Sequence, residues 1–146
     1  MSATWGNKIR YTIFGESHGK GIGITIDGLP PGLEIDLAEV RREMSRRAPG
    51  KSPVATARNE KDNFTIWSGF IQNKTTGTPL CAIIENQDQK SADYESLAQK
   101  FRPGHADYSG FIKYKGFNDI RGGGHFSGRL TAPLVFAGAI ANQILR

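Results

Sequence analysis

Lys8-Ile9-Arg10-Tyr11-Thr12-Ile13-Phe14 and Gly21-Ile22-Gly23-Ile24-Thr25-Ile26-Asp27 flank the block Gly15-Glu16-Ser17-His18-Gly19, and the reading of these three pieces decides how the chain folds. Both flanks are rich in β-branched and aromatic residues with loose alternation, which is the pattern of strands. The first reads as a strand, the second as its partner, and the histidine block as the connection between them. Gly28-Leu29-Pro30-Pro31-Gly32 then reads as a turn on composition alone.

Working outward, the clearest helix begins after Asp36. Its carboxylate is suited to accept from the first free backbone N–H groups, and Glu39 three residues on completes a capping-box pattern. Leu37, Val40 and Met44 share one face. Arg46 and Arg47 fall in the last turn, where positive charge suits the helix dipole, and Pro49 stops the helix. The helical wheel sends Arg42 and Arg46 to solvent and leaves Arg47 at the edge of the apolar stripe, placed to lean over a pocket floor. Asn63 to Ile71 reads as a strand or strand pair, Lys74 to Thr78 as a turn, Pro79 to Glu85 as a strand, and Asp93 to Lys100 as a short helix. Thr131 to Leu145 is apolar nearly all round, which predicts a buried helix. It runs to Arg146 without an end signal, so the sequence reads as part of something longer.

The 146 residues suit one domain with a real core. No apolar run approaches the ~18 residues of a membrane span, and Met1-Ser2-Ala3-Thr4-Trp5 does not open a secretory signal. The single cysteine, Cys81, reads as core filler, and the reducing cytoplasm is the default compartment. The net charge of +5 and pI near 9.5 speak of partners rather than fold. Nucleic-acid recognition is disfavoured, because the basic residues do not interleave regularly with aromatics and no recognition signature is present.

All three histidines sit in glycine-flanked polar blocks: around His18, in Phe101-Arg102-Pro103-Gly104-His105-Ala106-Asp107-Tyr108, and in Arg121-Gly122-Gly123-Gly124-His125-Phe126-Ser127-Gly128-Arg129. Histidine exchanges protons near neutral pH, and glycine lets backbone approach a ligand closely. His18 is suited to protonate a leaving group, or else is a turn histidine bonded to its own backbone. Glu16-Ser17-His18 is not a hydrolase triad, since neighbours on an extended chain point to opposite faces. His105 with Arg102 suits holding and protonating an anion; the alternative is a histidine tied to Asp107 in a rigid loop. The triple glycine with Arg121 and Arg129 suits a phosphate cradle, though it lacks the lysine of a P-loop. The histidine spacings match no compact metal-ligand motif.

Taken together, these blocks, with Arg46-Arg47-Ala48-Pro49-Gly50, Thr75-Thr76-Gly77-Thr78, Ile84-Glu85-Asn86 and Ser127-Gly128-Arg129-Leu130-Thr131-Ala132, closely resemble the chorismate synthase family in order and spacing from about Trp5 to Arg146. The resemblance implies an α+β fold, part of a β-α-β sandwich with antiparallel sheets packed on helices, in which residues 1–146 form the N-terminal part of a single domain. It implies a lyase that makes chorismate by 1,4-anti elimination of phosphate from 5-enolpyruvylshikimate 3-phosphate with reduced FMN. It also implies an external flavin reductant, NADP as an associated nucleotide, and a homotetramer at full length, with no nucleic-acid or membrane partner. By this resemblance His18 is the acid that protonates departing phosphate and His105 lies beside the reduced flavin. Arg47 and Arg129 contact the substrate's anionic groups, and Arg47, His125, Phe126 and Ser127 serve the flavin site. His125, Phe126 and Leu130 replace the family's usual arginine, serine and glutamate, and Pro53, with Lys51 nearby, stands where many members carry an arginine. The fragment is expected to be inactive alone. The rival expectation is a non-catalytic anion-binding or assembly module.

Overall fold

The computed structural model describes residues 3–49, 60–87 and 100–146. The helix expected over Asp93 to Lys100 falls outside them but for its last residue, as do Lys51 and Pro53. The hairpin forms as its composition dictates. β1 (Thr4–Gly6), β2 (Arg10–Gly15) and β3 (Gly21–Asp27) run antiparallel, with Phe14 opposite Gly23. Gly23 has no side chain for a local reason: a Cβ there would lie 2.5 Å from the tip of the Phe14 ring.

β4 (Phe64–Ser68), β5 (Phe70–Ile71), β6 (Lys74–Thr75) and β7 (Leu80–Glu85) follow the first helix. The main sheet has the order β1-β2-β3-β7-β4, antiparallel throughout, while β5 and β6 form a small ribbon. Gly69, at φ +77°, separates β4 from β5; a Cβ there would meet the Leu80 backbone at 2.4 Å. Lys74–Thr75 is strand rather than turn. The reversal falls one step earlier, at Gln72 and Asn73, whose φ values of 48° and 62° are those of a tight two-residue hairpin.

Ile22, Ile24 and Ile26 of β3 face the same side as their partners Ile84, Ala82 and Leu80 on β7, and all six are buried. Burying each of the isoleucines contributes about 2 kcal/mol. Covering this face is α3 (Thr131–Ile144), and α1 (Leu37–Arg47) packs against α3. α1 begins where expected: Asp36 Oδ1 accepts from the N–H groups of Ala38 (2.8 Å) and Glu39 (3.3 Å). The reciprocal half of the capping box is not made. Asp36 N–H donates instead to Gln143 Oε1 of α3 at 2.8 Å, and Glu39 pairs with Arg146 and Arg42. A side chain from the neighbouring helix thus ties the two helices together at this cap, with Gln143 Nε2 donating back to Asp36 O at 3.1 Å.

α3 is buried on one flank only. Phe136 and Ile140 are sealed in the core, while Leu134 and Leu145 are exposed. One sheet and one neighbouring helix cover two sides of a cylinder, so the third side meets solvent. Cys81 is half-buried on β7 rather than part of the core. The fold is α+β, and the described residues form an antiparallel main sheet, a two-stranded ribbon and three α-helices. The third helix, α2 (Asp107–Lys113), was not legible from periodicity. It is short, interrupted by Gly110 and rich in aromatics. Gly110 is required because a Cβ would come within 2.6 Å of the Phe126 ring.

Candidate functional site

The turn between β2 and β3 carries His18, and the turn Arg121–Phe126 lies against it. Gly122, Gly123 and Gly124 all take positive φ (59°, 88° and 54°), which bends the backbone through a path L side chains rarely follow. The two histidines of the sequence blocks meet here. A Cβ on Gly122 would fall 1.9 Å from His18 Nδ1, and a Cβ on Gly123 would fall 2.9 Å from His105 Nε2. Each imidazole therefore lies directly over the bare backbone of one of two adjacent glycines.

The two rings are held differently. His18 is 7% exposed, and its turn is tied through backbone groups. Ser17 N–H donates to Gly124 O at 3.1 Å and Gly19 N–H to Glu16 O at 3.1 Å. Asn86 Nδ2 donates to Glu16 O at 2.9 Å and to Gly19 O at 2.8 Å. His105 is half-buried and held by its own ring. Its Nδ1 is 2.6 Å from Asp107 Oδ1, and Asp107 also accepts from Arg102 N, Nε and Nη2 at 2.8–2.9 Å. A carboxylate only accepts, so Nδ1 carries the proton and Nε2 is the nitrogen turned to Gly123. The Arg102 hydrogen bonds hold the Asp107 carboxyl well below the usual carboxylate range against the opposing effect of burial, with His105 adding a smaller contribution. Asp119, packed under the glycine turn, is also lowered, chiefly by its hydrogen bonds to Arg121 and least by the charge of His18.

Behind His18 lies a cluster that joins two other expected residues. Arg47 and Arg129 meet on one buried carboxylate, Asp62, each donating through Nη1. Arg129 is itself buried. Its Nη2 is 2.5 Å from Glu60 Oε2, and its Nε donates to Asn86 Oδ1 at 3.1 Å. Glu60 also accepts from Gln87 N–H at 3.0 Å. The two arginines thus share one carboxylate, and their charge faces Asp62 and Glu60, which carry no motif.

The segment expected at a flavin is tightly engaged. His125 Nδ1–H donates to Gly15 O at 2.9 Å, which leaves Nε2 as its other nitrogen. Phe126 packs on Gly110 and lies 6.2 Å from the Tyr114 ring, and Ser127 Oγ accepts from Arg129 N–H at 3.3 Å. Sequence reasoning missed Asn86 as a structural agent, as well as Glu60, Asp62 and Asp119. Only the Ile84-Glu85-Asn86 motif held a signal for any of them. Among the described residues no group of three or more His, Cys, Asp or Glu would hold a metal ion, and no helix is long and apolar enough to cross a membrane.

An antiparallel sheet backed by helices, with two imidazoles on one glycine turn and an arginine floor behind it, defines an α+β domain whose polar centre is made of histidine and arginine. The family model described as chorismate synthase matches residues 9–146, and the chain belongs to that family. It is 51% identical over 142 residues to the chorismate synthase of Albidiferax ferrireducens, covering 97% of this chain and 39% of that protein. It is 53% identical over 143 residues to that of a Polaromonas species, covering 98% and 39%. To that of Pyrococcus abyssi it is 51% identical over 140 residues, covering 96% and 39%. A crystal structure of a chorismate synthase superposes with a TM-score of 0.65 at 33% identity, covering 95% of this chain and 34% of that one. The chain spans about two-fifths of the length of the curated relatives it matches.

Proposed function

We propose that this chain supplies the acid–base half of a chorismate synthase site, which eliminates phosphate from 5-enolpyruvylshikimate 3-phosphate to give chorismate. The observation that carries this reading is the placement of His18 and His105 over adjacent glycines, with Arg47 and Arg129 joined behind the His18 turn. His18 donates a proton to the departing phosphate oxygen. His105, oriented through Nδ1 by Asp107, presents Nε2 as the group that takes or returns a proton. Arg47 and Arg129 receive the substrate's phosphate or carboxylates in competition with Asp62 and Glu60.

The donor set fits a reduced flavin. Two imidazoles, His105 and His125, each keep an Nε2 not used in the Nδ1 hydrogen bond, and both belong to segments that meet at the glycine turn. His125, Phe126, Ser127 and Arg47 are the residues proposed to hold FMN, which supplies electron density transiently with no net redox change. The same reading includes an external flavin reductant associated with NADP, a cytoplasmic location, a homotetramer at full length, and residues 1–146 as the N-terminal part of one domain. By themselves these residues are expected to bind anionic ligand without sustained turnover.

Calorimetry tests the binding claim. Titration of the chain with 5-enolpyruvylshikimate 3-phosphate and with FMN should give saturable heats, lost for the first ligand in Arg47→Ala. Duplex DNA bound in preference to both would instead favour a non-catalytic binding module. In a full-length relative under anaerobic conditions, the counterpart of His18→Ala should slow phosphate release at least about 100-fold; wild-type release would remove His18 from its role.

A further inference from the structure

Asn86 stands just after β7 ends at Glu85, and its side-chain amide makes three hydrogen bonds at once. Nδ2 donates to the carbonyls of Glu16 and Gly19, which bracket His18, at 2.9 and 2.8 Å. Oδ1 accepts from Arg129 Nε at 3.1 Å. The partners themselves settle which end is which. Two carbonyls need N–H donors and a guanidinium needs an acceptor, so a flipped amide loses all three bonds. The backbone N–H of Asn86 donates to Lys20 O at 3.2 Å, so the same residue also holds the start of β3. Arg129 cannot swing away to release the amide, because Glu60 and Asp62 pin its two remaining nitrogens in the interior.

The His18 ring packs directly on the glycine turn. The smallest side-chain carbon on Gly122 would be 1.9 Å from Nδ1, so this contact depends on where its own turn sets the imidazole. We propose that Asn86 is the positioning residue for His18: its amide clamps the two ends of the turn, and Arg129 Nε locks the amide. The short amide of asparagine meets this requirement. Aspartate would set carboxylate oxygens against two carbonyls, and serine is too short to span them while reaching Arg129. His105 needs no such clamp, since Asp107, itself held by Arg102, grips its ring directly. The proposal rests on the reading of His18 as a reacting group only for its consequence; the geometry is tested without turnover.

Two NMR measurements on the 146-residue chain decide it. In the wild type, couplings across hydrogen bonds should connect the Asn86 side-chain nitrogen to the carbonyl carbons of Glu16 and Gly19. In Asn86→Ala and Asn86→Asp, the cross-peaks between the His18 ring protons and the Gly122 α-protons should be lost. Those between His105 and Gly123 should remain, and the ring nitrogens of His18 alone should shift. A purely structural role would degrade both contacts together, so equal loss overturns the proposal. Persistence of the His18–Gly122 cross-peaks in a folded variant overturns it too. Should both variants unfold, the wild-type couplings decide alone, and their absence refutes the clamp. Failure of His18 in the elimination assay would leave these spectra unchanged, so the two readings fail separately.

Discussion

The two imidazoles on the Gly122–Gly123 turn differ in burial and in how their segments are held. His18 is buried, and its turn is held by hydrogen bonds from Asn86 and to Gly124 while its ring lies over Gly122. His105 is half-buried and positioned by charge, its ring bonded to a carboxylate that Arg102 keeps ionised. Around the first, the sheet and α3 seal the core. Around the second, Phe101, Tyr108, Phe111 and Ile112 stand exposed on and beside α2. Burial allows placement by shape and hydrogen bonds that do not titrate. A partly open site needs an electrostatic grip, because water competes for every neutral bond. The same turn thus joins a stiff wall to a more yielding one.

The largest effect is expected at the glycines themselves. Gly122→Ala adds a carbon 1.9 Å from a buried ring, at a φ of +59°. The left-handed backbone and the overpacking together should cost about 4 kcal/mol. Gly123→Ala adds a carbon 2.9 Å from a ring with solvent beside it, so His105 is able to yield, and the cost should be about 2 kcal/mol, mostly backbone strain. Urea unfolding of both variants measures the difference. Equal costs would mean that the two walls are equally stiff.

A smaller effect is expected behind the His18 wall. Asp62→Asn removes the charge that Arg47 and Arg129 share. Leaving buried Arg129 with Glu60 alone, and half-buried Arg47 without the Asp62 charge, should lower stability by about 2 kcal/mol. The same change should tighten inorganic phosphate binding by roughly threefold or more, because the anion no longer competes with Asp62 for the floor. Weaker phosphate binding in a folded Asp62→Asn protein would argue that the arginines do not take an anion from this side.

What was legible in the sequence was local. The alternation of β2 and β3, the Asp36 cap and the position of Arg47 at the edge of α1 follow from spacings of a few residues, and the structure places them so. His18 and His105 stood out because glycine and proline mark their blocks. Their meeting place did not stand out, because it depends on three successive left-handed glycines reached from two distant segments. Glu60 and Asp62 lie in an unremarkable charged stretch, and only the fold brings them under Arg129. The capping box failed at Asp36 for the same reason: Gln143, 107 residues away, outcompetes Glu39 for the backbone N–H. Long-range hydrogen bonds have no sequence period to read.

The smallest effect expected is on the His105 side, and it is read as a change with pH. Hydrogen bonds from Arg102, and to a lesser degree from His105, depress the Asp107 carboxyl below its ordinary value of 3.8. A carboxylate depressed by folding contributes stability that is present above its unfolded value and is lost as pH falls through its folded value. The stability difference between wild type and Asp107→Asn should therefore be level from neutral pH to about pH 5 and should shrink steadily below about pH 4. Asp119 is shifted in the same direction, but it is present in both proteins and cancels in the difference. Over the same acid range the His105–Gly123 contact should loosen before the His18–Gly122 contact, since the carbonyls held by Asn86 do not titrate. Urea titrations at each pH measure the first expectation and ring-to-glycine cross-peaks the second. A difference that grows on acidification would show that Asp107 is not the grip on His105, and simultaneous loss of both contacts would show that the two walls are one.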